Sequence, residues 1–470
     1  MIGRRTKLVC TIGPATADRV DELVAAGMDV ARLNFSHGTP AARSSAAQRV
    51  RAAGAGRVGI LADLPGPKIR LGTLVAEPLV LDAGTTFALR PADASPGDAS
   101  GAHVSYPRLA ADVRTGDRIL LADGAVELRV TDANDEVRTE VVRGGAIRSH
   151  AGVSVPSDRL SEPALTPEDR AAVPQALELG VDYIAQSFVR SANDVAQLRA
   201  LIGDDGPPIV AKIETRAAVD DFDAICAVAG AVMIARGDLG VELPYEEVPI
   251  LQKQLVRRAL DLGIPTIVAT QMLESMISSP RPTRAEASDV ANAIFDGADA
   301  IMLSGETAIG QHPILAAEAA ARIARLCEER GPQYLPAGSP PNANTDADAL
   351  AYAAVALAGA DGDVAAIACY TRTGRTARIL SALRPRVAIH AFSPHESVVR
   401  RLSLVHGVHA RTCVPPGDSE GRLDLMAWLL GEDSSLPHGA AVVLVASTAT
   451  PGTGPNLLEV ARVGGPTGNS

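Results

Sequence analysis

Cysteine is scarce in this 470-residue chain, and its five copies (Cys10, Cys226, Cys327, Cys369 and Cys413) are scattered. None forms a Cys-x-x-Cys pair, which argues against a thiolate zinc site or a disulfide framework; small buried apolar residues account for all five. Long apolar runs are missing too. None approaches the roughly 20 residues that a spanning helix needs. Met1-Ile2-Gly3-Arg4-Arg5-Thr6-Lys7 is not followed by an apolar segment and cleavage site, so no secretory signal is expected. Positive charge is in deficit. A formal net charge of −11 argues against sequence-independent nucleic-acid binding while leaving room for a local basic pocket. Hydrophobic residues at 47% and charged residues at 21% are globular composition, and the length suits two or three domains. A soluble, cytoplasmic protein with no membrane contact is expected.

The first 70 residues alternate apolar runs with helical patterns: strands at Lys7–Ile12, Val30–Phe35 and Gly59–Asp63, with helices closing at Gly27 and near Gly54. Continuous apolar strands between helices imply a parallel sheet covered on both faces. From about Leu71 to Gly152 the chain turns rich in Gly, Pro, Asp and Thr, with short alternating pieces such as Glu127–Val130, which reads as a small β domain. The first rhythm then returns, with strands at Tyr183–Phe188, Ile209–Glu214, Val232–Ala235, Thr266–Thr270 and Ala300–Ser304. Three strands before the insert and five after it predict an α/β fold: a (β/α)8 TIM barrel, a β domain inserted after strand 3, and a C-terminal α/β domain. The expected division is 1–70 and 153–340 for the barrel, 71–152 for the insert and 341–470 for the last domain. In that last part strands are expected near Ala365–Tyr370, Val387–Ala391 and Ala441–Ala446, after a linker at Gly331–Asn344.

Active sites of such barrels lie at the C-terminal ends of the strands. Those ends carry Arg32 and Asn34, Asp63 with Lys68 and Arg70 beyond it, Lys212 and Glu214, Arg236-Gly237-Asp238, Thr270, and Ser304 with Glu306. A charged residue after one strand is usually a solvated loop residue; convergence of several is harder to dismiss. Lys212 and Glu214 alternate along one strand, so both point to one face. They read either as a structural ion pair or, with Asp238 one strand over, as a lysine beside two carboxylates suited to Mg²⁺. Arg32 and Arg70 add cations that favour a highly anionic substrate such as a phosphate ester, which is what phosphoryl transfer requires.

The segments Asn34-Phe35-Ser36-His37-Gly38, Ala211-Lys212-Ile213-Glu214, Met233-Ile234-Ala235-Arg236-Gly237-Asp238-Leu239-Gly240-Val241-Glu242, Pro282-Thr283-Arg284-Ala285-Glu286, Asp289-Val290-Ala291-Asn292 and Met302-Leu303-Ser304-Gly305-Glu306-Thr307-Ala308 resemble pyruvate kinase. The resemblance covers the barrel nearly end to end and, more weakly, the C-terminal part. It implies phosphoryl transfer from phosphoenolpyruvate to ADP, giving pyruvate and ATP in glycolysis. Glu214 and Asp238 would ligate Mg²⁺ (or Mn²⁺). Lys212, helped by Arg32, would stabilise the phosphoryl group in flight. The backbone of Ala235, Arg236 and Gly237 would hold the substrate carboxylate. Thr270 would line the protonation site, with Ser304 and Glu306 supporting it. Pro14, His37 and Arg70 would lie on the nucleotide side, and Arg70 would count among the catalytic residues as well. A homotetramer is implied as well.

Three departures stand out. Many members need K⁺, held by oxygens matching Asn34, Ser36, Asp63 and the residue at Leu64, and carry Glu where this chain has Lys68. Members with Lys there and Leu at the position of Leu64 resemble K⁺-independent enzymes, so Lys68 is expected to replace K⁺ as a tethered ammonium. The segment Ala151-Gly152-Val153-Ser154-Val155-Pro156-Ser157 lacks a lysine that in the family reaches nucleotide phosphates. The lid keeps only Asp123-Gly124 of a paired acidic turn. In the last domain, Thr371-Arg372-Thr373-Gly374-Arg375-Thr376 reads as a phosphate cradle or as a simple capped helix start. The resemblance supports an effector site there for a phosphorylated sugar or nucleotide, with a second loop at Thr450–Asn456. Two other functions compete. A Mg²⁺-dependent aldolase or lyase would turn over without ADP; a catalytically silent effector-binding relative would be expected to have lost Lys212, Glu214, Asp238 or Thr270.

Overall fold

The structure, a computed structural model, describes residues 4–91, 95–122, 124–155, 160–338, 345–360, 363–414, 425–426, 429–431, 436–446 and 456–463. The expected 340/341 boundary, the end of the linker, Asp123, Pro156, Ser157 and most of the Thr450–Asn456 loop lie outside these residues.

Eight parallel strands close into a barrel: β1 (Lys7–Thr11), β2 (Val30–Asn34), β3 (Gly59–Asp63), β4 (Tyr183–Gln186), β5 (Ile209–Ile213), β6 (Ala231–Ala235), β7 (Thr266–Ala269) and β8 (Ala300–Leu303). Each lies beside its chain neighbour, and β8 returns to β1 through pairs such as Lys7 with Ala300. Every strand residue is buried except Arg32 and Asn34, which sit where β2 opens onto the mouth. The helices that wrap the barrel begin and end on local signals. Thr166 with Asp169 and Thr283 with Glu286 form reciprocal capping boxes. Gly27, Gly263 and Gly297 stop helices in the left-handed conformation.

Between β3 and β4 the chain leaves to build the lid. Its six-stranded sheet runs, edge to edge, Val153–Ser154, Arg118–Leu121, Val126–Ala133, Val137–Arg143, Thr86–Arg90, Gly101–His103. Alternating buried and exposed residues along Val137–Arg143 give the lid a core of its own around Phe87, Leu128 and Val141.

The C-terminal domain holds β9 (Val364–Tyr370), β10 (Ala388–Ser393), β11 (Val408–Thr412), β12 (Ala441–Ala446) and β13 (Leu457–Arg462) in the order β11-β10-β9-β12-β13. Three of these were expected. The two unforeseen strands, β11 and β13, are the sheet's edges, and their half-exposed residues produce no continuous apolar run to read. This domain seals the barrel floor. Leu404 is fully buried against Val9, Val30 and Leu61 of the barrel interior. Arg400 Nε pairs with Asp182 at 2.9 Å and Lys7 Nζ donates to Val408 O at 2.7 Å. Gly59 permits the approach, since a Cβ there would stand 2.6 Å from Ser403 Oγ and 2.9 Å from Arg400 O.

Candidate active site

The mouth of the barrel is organised around one ammonium. Lys212 Nζ lies 2.9 Å from Glu214 Oε1 and 3.3 Å from Asp63 Oδ1, and donates to Ser187 Oγ at 2.6 Å. Asp63 uses its other oxygen to accept from Arg32 Nε at 2.7 Å, while Arg32 also donates to Thr11 Oγ1 at 3.0 Å. Glu214 Oε2 accepts from the Phe188 N–H at 2.8 Å. The remaining oxygens, Asp63 Oδ1 and Glu214 Oε1, are buried and accept no hydrogen bond of good geometry among the described residues; their partner is the Lys212 charge.

Charge in this cluster is set by the balance of burial against neighbours. Burial would lower the Lys212 ammonium, but Asp63, Glu214 and Asp238 overrule it and hold it above its ordinary value. Burial would likewise raise Asp63, and Lys212 with Arg32 instead hold it below the usual carboxylate range. For Glu214 burial wins. Its carboxyl is pushed up to about 7, with Asp238 adding to the rise and Lys212 opposing it.

Asp238 is exposed in the helix Arg236–Glu242 that follows β6. Glu214 and Asp238 line one cleft of about 590 Å³ between barrel and lid, together with Lys68, Arg70, Arg148, His150 and Arg190. No group of three or more His, Cys, Asp or Glu able to hold a metal occurs among the described residues. Two carboxylates suffice for Mg²⁺, which keeps waters and takes substrate oxygens. A buried carboxylate oxygen that no backbone or hydroxyl donor holds among the described residues fits that use.

Beyond β7 the backbone is forced. Thr270 and Gln271 are successive non-glycine residues at φ 68° and 55°, a conformation kept only where the surroundings impose it. Arg236 imposes it by donating to Thr270 O at 2.7 Å and Gln271 O at 3.2 Å, itself anchored on Asp289 at 2.7 Å. Thr270 Oγ1 accepts from the Gly237 N–H at 2.8 Å and donates to Ala269 O at 2.6 Å. Glu306 spends both carboxylate oxygens on the backbone N–H groups of Leu273 and Ser304. Ser304 Oγ is buried with no hydrogen-bond partner among the described residues.

Lys68 Nζ donates to Ser36 Oγ at 3.2 Å. The other oxygens expected around a monovalent cation are also engaged: Asn34 Oδ1 accepts from the Ser36 N–H at 3.0 Å, Leu64 O from Ser187 Oγ at 2.7 Å, and Asp63 holds Arg32 and Lys212. Partial burial and Lys212 hold the Lys68 ammonium below its ordinary value, against Asp238, Asp63 and Glu214. Gly66, at φ 67°, lets this loop cross the end of β4, where a Cβ would stand 2.8 Å from Ser187 Cβ. Pro14 and His37 are exposed and are not among the residues lining the cleft. Burial, followed by Lys68, Arg70 and Arg32, lowers the His37 imidazole, so it faces the same positive field.

The pyruvate kinase barrel-domain model matches residues 3–317, and its alpha/beta-domain model matches residues 348–461. The chain belongs to the pyruvate kinase family. A pyruvate kinase of Mycobacterium tuberculosis (strain ATCC 25618 / H37Rv) is 43% identical over 476 residues, covering 98% of this chain and 99% of its own. One from Mycobacterium intracellulare is 42% identical over 473 residues, with the same coverage. A crystal structure of a pyruvate kinase from Cryptosporidium parvum matches with a TM-score of 0.88 at 33% identity, covering 98% of this chain and 96% of that one. The chain is thus a phosphotransferase of pyruvate kinase type.

Sequence reading passed over the end of β4. Ser187, which holds Lys212, and Phe188, which holds Glu214 from a left-handed φ of 52°, both come from there. The polar Gln186-Ser187 step closing an apolar strand was the available signal. In the C-terminal domain the Thr371–Thr376 loop closes on itself: the Gly374 N–H donates to Thr371 Oγ1 at 3.0 Å, and Gly374 takes φ 82° before the helix Arg375–Ala382. No helix among the described residues is long and apolar enough to cross a membrane.

Proposed function

We propose that this pyruvate kinase family member moves the phosphoryl group of phosphoenolpyruvate to ADP at the barrel mouth, with Glu214 and Asp238 as the Mg²⁺ ligands. The observation that carries the reading is the buried Glu214 Oε1, which among the described residues faces only the Lys212 ammonium, 2.9 Å away. Glu214 and Asp238 would hold Mg²⁺, which when bound would supply polarisation of the phosphoryl oxygens and offset their charge. Lys212, already fixed by Ser187, Asp63 and Glu214, presents its ammonium to the group in transit without having to reorganise. Arg32, clamped by Asp63 and Thr11, adds a second fixed cation. The Ala235-Arg236-Gly237 backbone receives the substrate carboxylate, and the Gly237 N–H, which donates to Thr270 Oγ1 at 2.8 Å, exchanges that partner for the carboxylate. Thr270 lines the side on which the enolate carbon is protonated, Glu306 and Ser304 hold the neighbouring loop, and Arg70, Pro14 and His37 serve the nucleotide.

Lys68 takes the place of K⁺, a reading supported by its contact with Ser36 and by the internal partners of Asn34, Asp63 and Leu64. A cytoplasmic homotetramer, with an effector bound at Thr371, Arg372, Thr373, Gly374, Arg375 and Thr376, completes the proposal. The test is pyruvate formation from phosphoenolpyruvate and ADP with Mg²⁺, with and without K⁺. Turnover in both conditions is expected. Absence of turnover in both, even with sugar phosphates added, overturns the assignment, and a strict K⁺ requirement removes the role of Lys68.

A further inference from the structure

We infer that Arg148, on the lid, is a nucleotide-phosphate ligand of this enzyme, an inference that rests on the phosphoryl-transfer reading above. The cleft of about 590 Å³ has Glu214 and Asp238 on its barrel wall and Arg148, His150 and Ala151 on its lid wall. That volume suits a small-molecule site, and an anion held to a metal on one wall meets whatever cation the other wall offers.

The other cations of this cleft each already hold a protein oxygen with at least one N–H. Lys68 is on Ser36 at 3.2 Å. Arg70 donates to His150 O at 3.0 Å. Arg190 donates to Leu160 O at 2.6 Å and to Glu162 O at 2.8 Å, tying down the return from the lid. Arg148 differs. It is exposed, and its guanidinium makes no hydrogen bond or ion pair among the described residues. The fully exposed Glu77 carboxylate is near enough to feel its charge.

The turn that carries Arg148 is nevertheless braced. The Ser149 N–H donates to Glu77 Oε1 at 3.1 Å, the Leu74 N–H to Ser149 Oγ at 2.9 Å, and the Ala151 N–H to Arg148 O at 3.2 Å. His150 is held at φ 62° with its carbonyl on Arg70. An uncommitted guanidinium on a fixed backbone costs less to order on binding than one on a loose loop. Its planar fork matches two phosphate oxygens at once, which a point-charge ammonium does not. The neighbouring Ala151 has no side-chain donor or charge to offer, so Arg148 supplies the charge on this wall.

The experiment measures steady-state KM for ADP and for phosphoenolpyruvate on the full-length enzyme, in wild type, Arg148→Ala, Arg148→Lys, and Arg148→Ala combined with Ala151→Lys. Losing one charge-assisted contact to phosphate should raise KM for ADP about tenfold in Arg148→Ala. KM for phosphoenolpyruvate should not follow it. Arg148→Lys should fall between, and adding Ala151→Lys should recover part of the loss. Calorimetric titration with MgADP should show the same order. An unchanged KM for ADP in Arg148→Ala overturns the assignment. So does an equal rise for both substrates, because that marks Arg148 as a latch for the lid. A wild type that makes no pyruvate sinks the phosphoryl-transfer reading itself, an outcome distinct from either.

Discussion

Lys212 and Glu214 stand two residues apart on β5 with Nζ and Oε1 at 2.9 Å, so one strand delivers both the ammonium and a carboxylate to the same point of the mouth. The pair is not self-sufficient, because Asp63 at 3.3 Å shares the same ammonium. Replacing Lys212 with Met strands two buried carboxylates and removes the fixed cation from the transferring group. We expect kcat to fall by about 10²–10³-fold and stability by about 3 kcal/mol. Rapid quench or coupled kinetics reads the first, chemical denaturation the second. A variant within tenfold of wild-type kcat would contradict the assigned role.

Gly66 ties the lid entrance to the catalytic cluster. Its φ of 67° and the 2.8 Å and 2.9 Å approaches to Ser187 Cβ and Phe188 Cδ2 leave no room for a methyl group. Gly66→Ala should cost about 1–3 kcal/mol through backbone strain and steric conflict. It should also disturb Ser187 and Phe188, and with them Lys212 and Glu214. The expected signature is a raised Mg²⁺ requirement alongside a lower melting temperature. A melting shift with unaltered Mg²⁺ dependence would show that the crossing loop does not position the metal ligands.

Much of this was legible in the sequence, and the parts that were not share a cause. Periodicity exposed the eight barrel strands, because each is a mostly apolar run, interrupted by polar residues such as Arg32 and Lys212 that reach the mouth. Strand alternation put Lys212 and Glu214 on one face. What periodicity does not carry is the partner brought from elsewhere in the chain. Asp63 was assigned to a cation site, but its carboxylate also bridges Arg32 and Lys212. Ser187 and Phe188 gain their roles from a left-handed turn that no residue-type pattern announced. The edge strands β11 and β13 escaped for lack of an apolar run, although docking and sheet pairing define them clearly in space.

His406 makes the seam between barrel and C-terminal domain sensitive to pH. Its imidazole is buried and held well below its ordinary value of 6.5, by burial first and then by Arg384, Arg5 and Lys7. Carboxylates at the seam include Asp299, which accepts from the His406 backbone N–H at 3.2 Å and pairs with Arg384 at 3.1 Å, Glu328, which pairs with Arg5 at 3.8 Å, and Asp182, which pairs with Arg400 at 2.9 Å. The unfolded chain takes up a proton below about pH 6.5 that the folded chain refuses. Stability from this group is therefore complete above that pH and is lost as pH falls below it, by at most about 1.4 kcal/mol per pH unit. Thermal melts of wild type and His406→Gln at pH 7.5 and 5.5 should show the steeper loss in wild type. Equal slopes would exclude His406 as the source.

Lys68 gives the sharpest ionic test. Its Nζ lies 3.2 Å from Ser36 Oγ, beside oxygens of Asn34, Asp63 and Leu64 that internal donors already occupy. Lys68→Glu removes a tethered charge and adds an anion at the same spot, which recreates the need for a mobile cation. Wild-type activity is expected to change little between K⁺-free buffer and about 100 mM KCl, apart from general screening. The variant should lose about 10²-fold in kcat/KM without K⁺ and recover most of it as K⁺ is titrated in. NaCl at the same ionic strength should restore less, because recovery then depends on a site and not on screening. If the variant is inactive at every K⁺ concentration, Lys68 serves the substrate directly. If it is active without K⁺, the ammonium was never standing in for the ion.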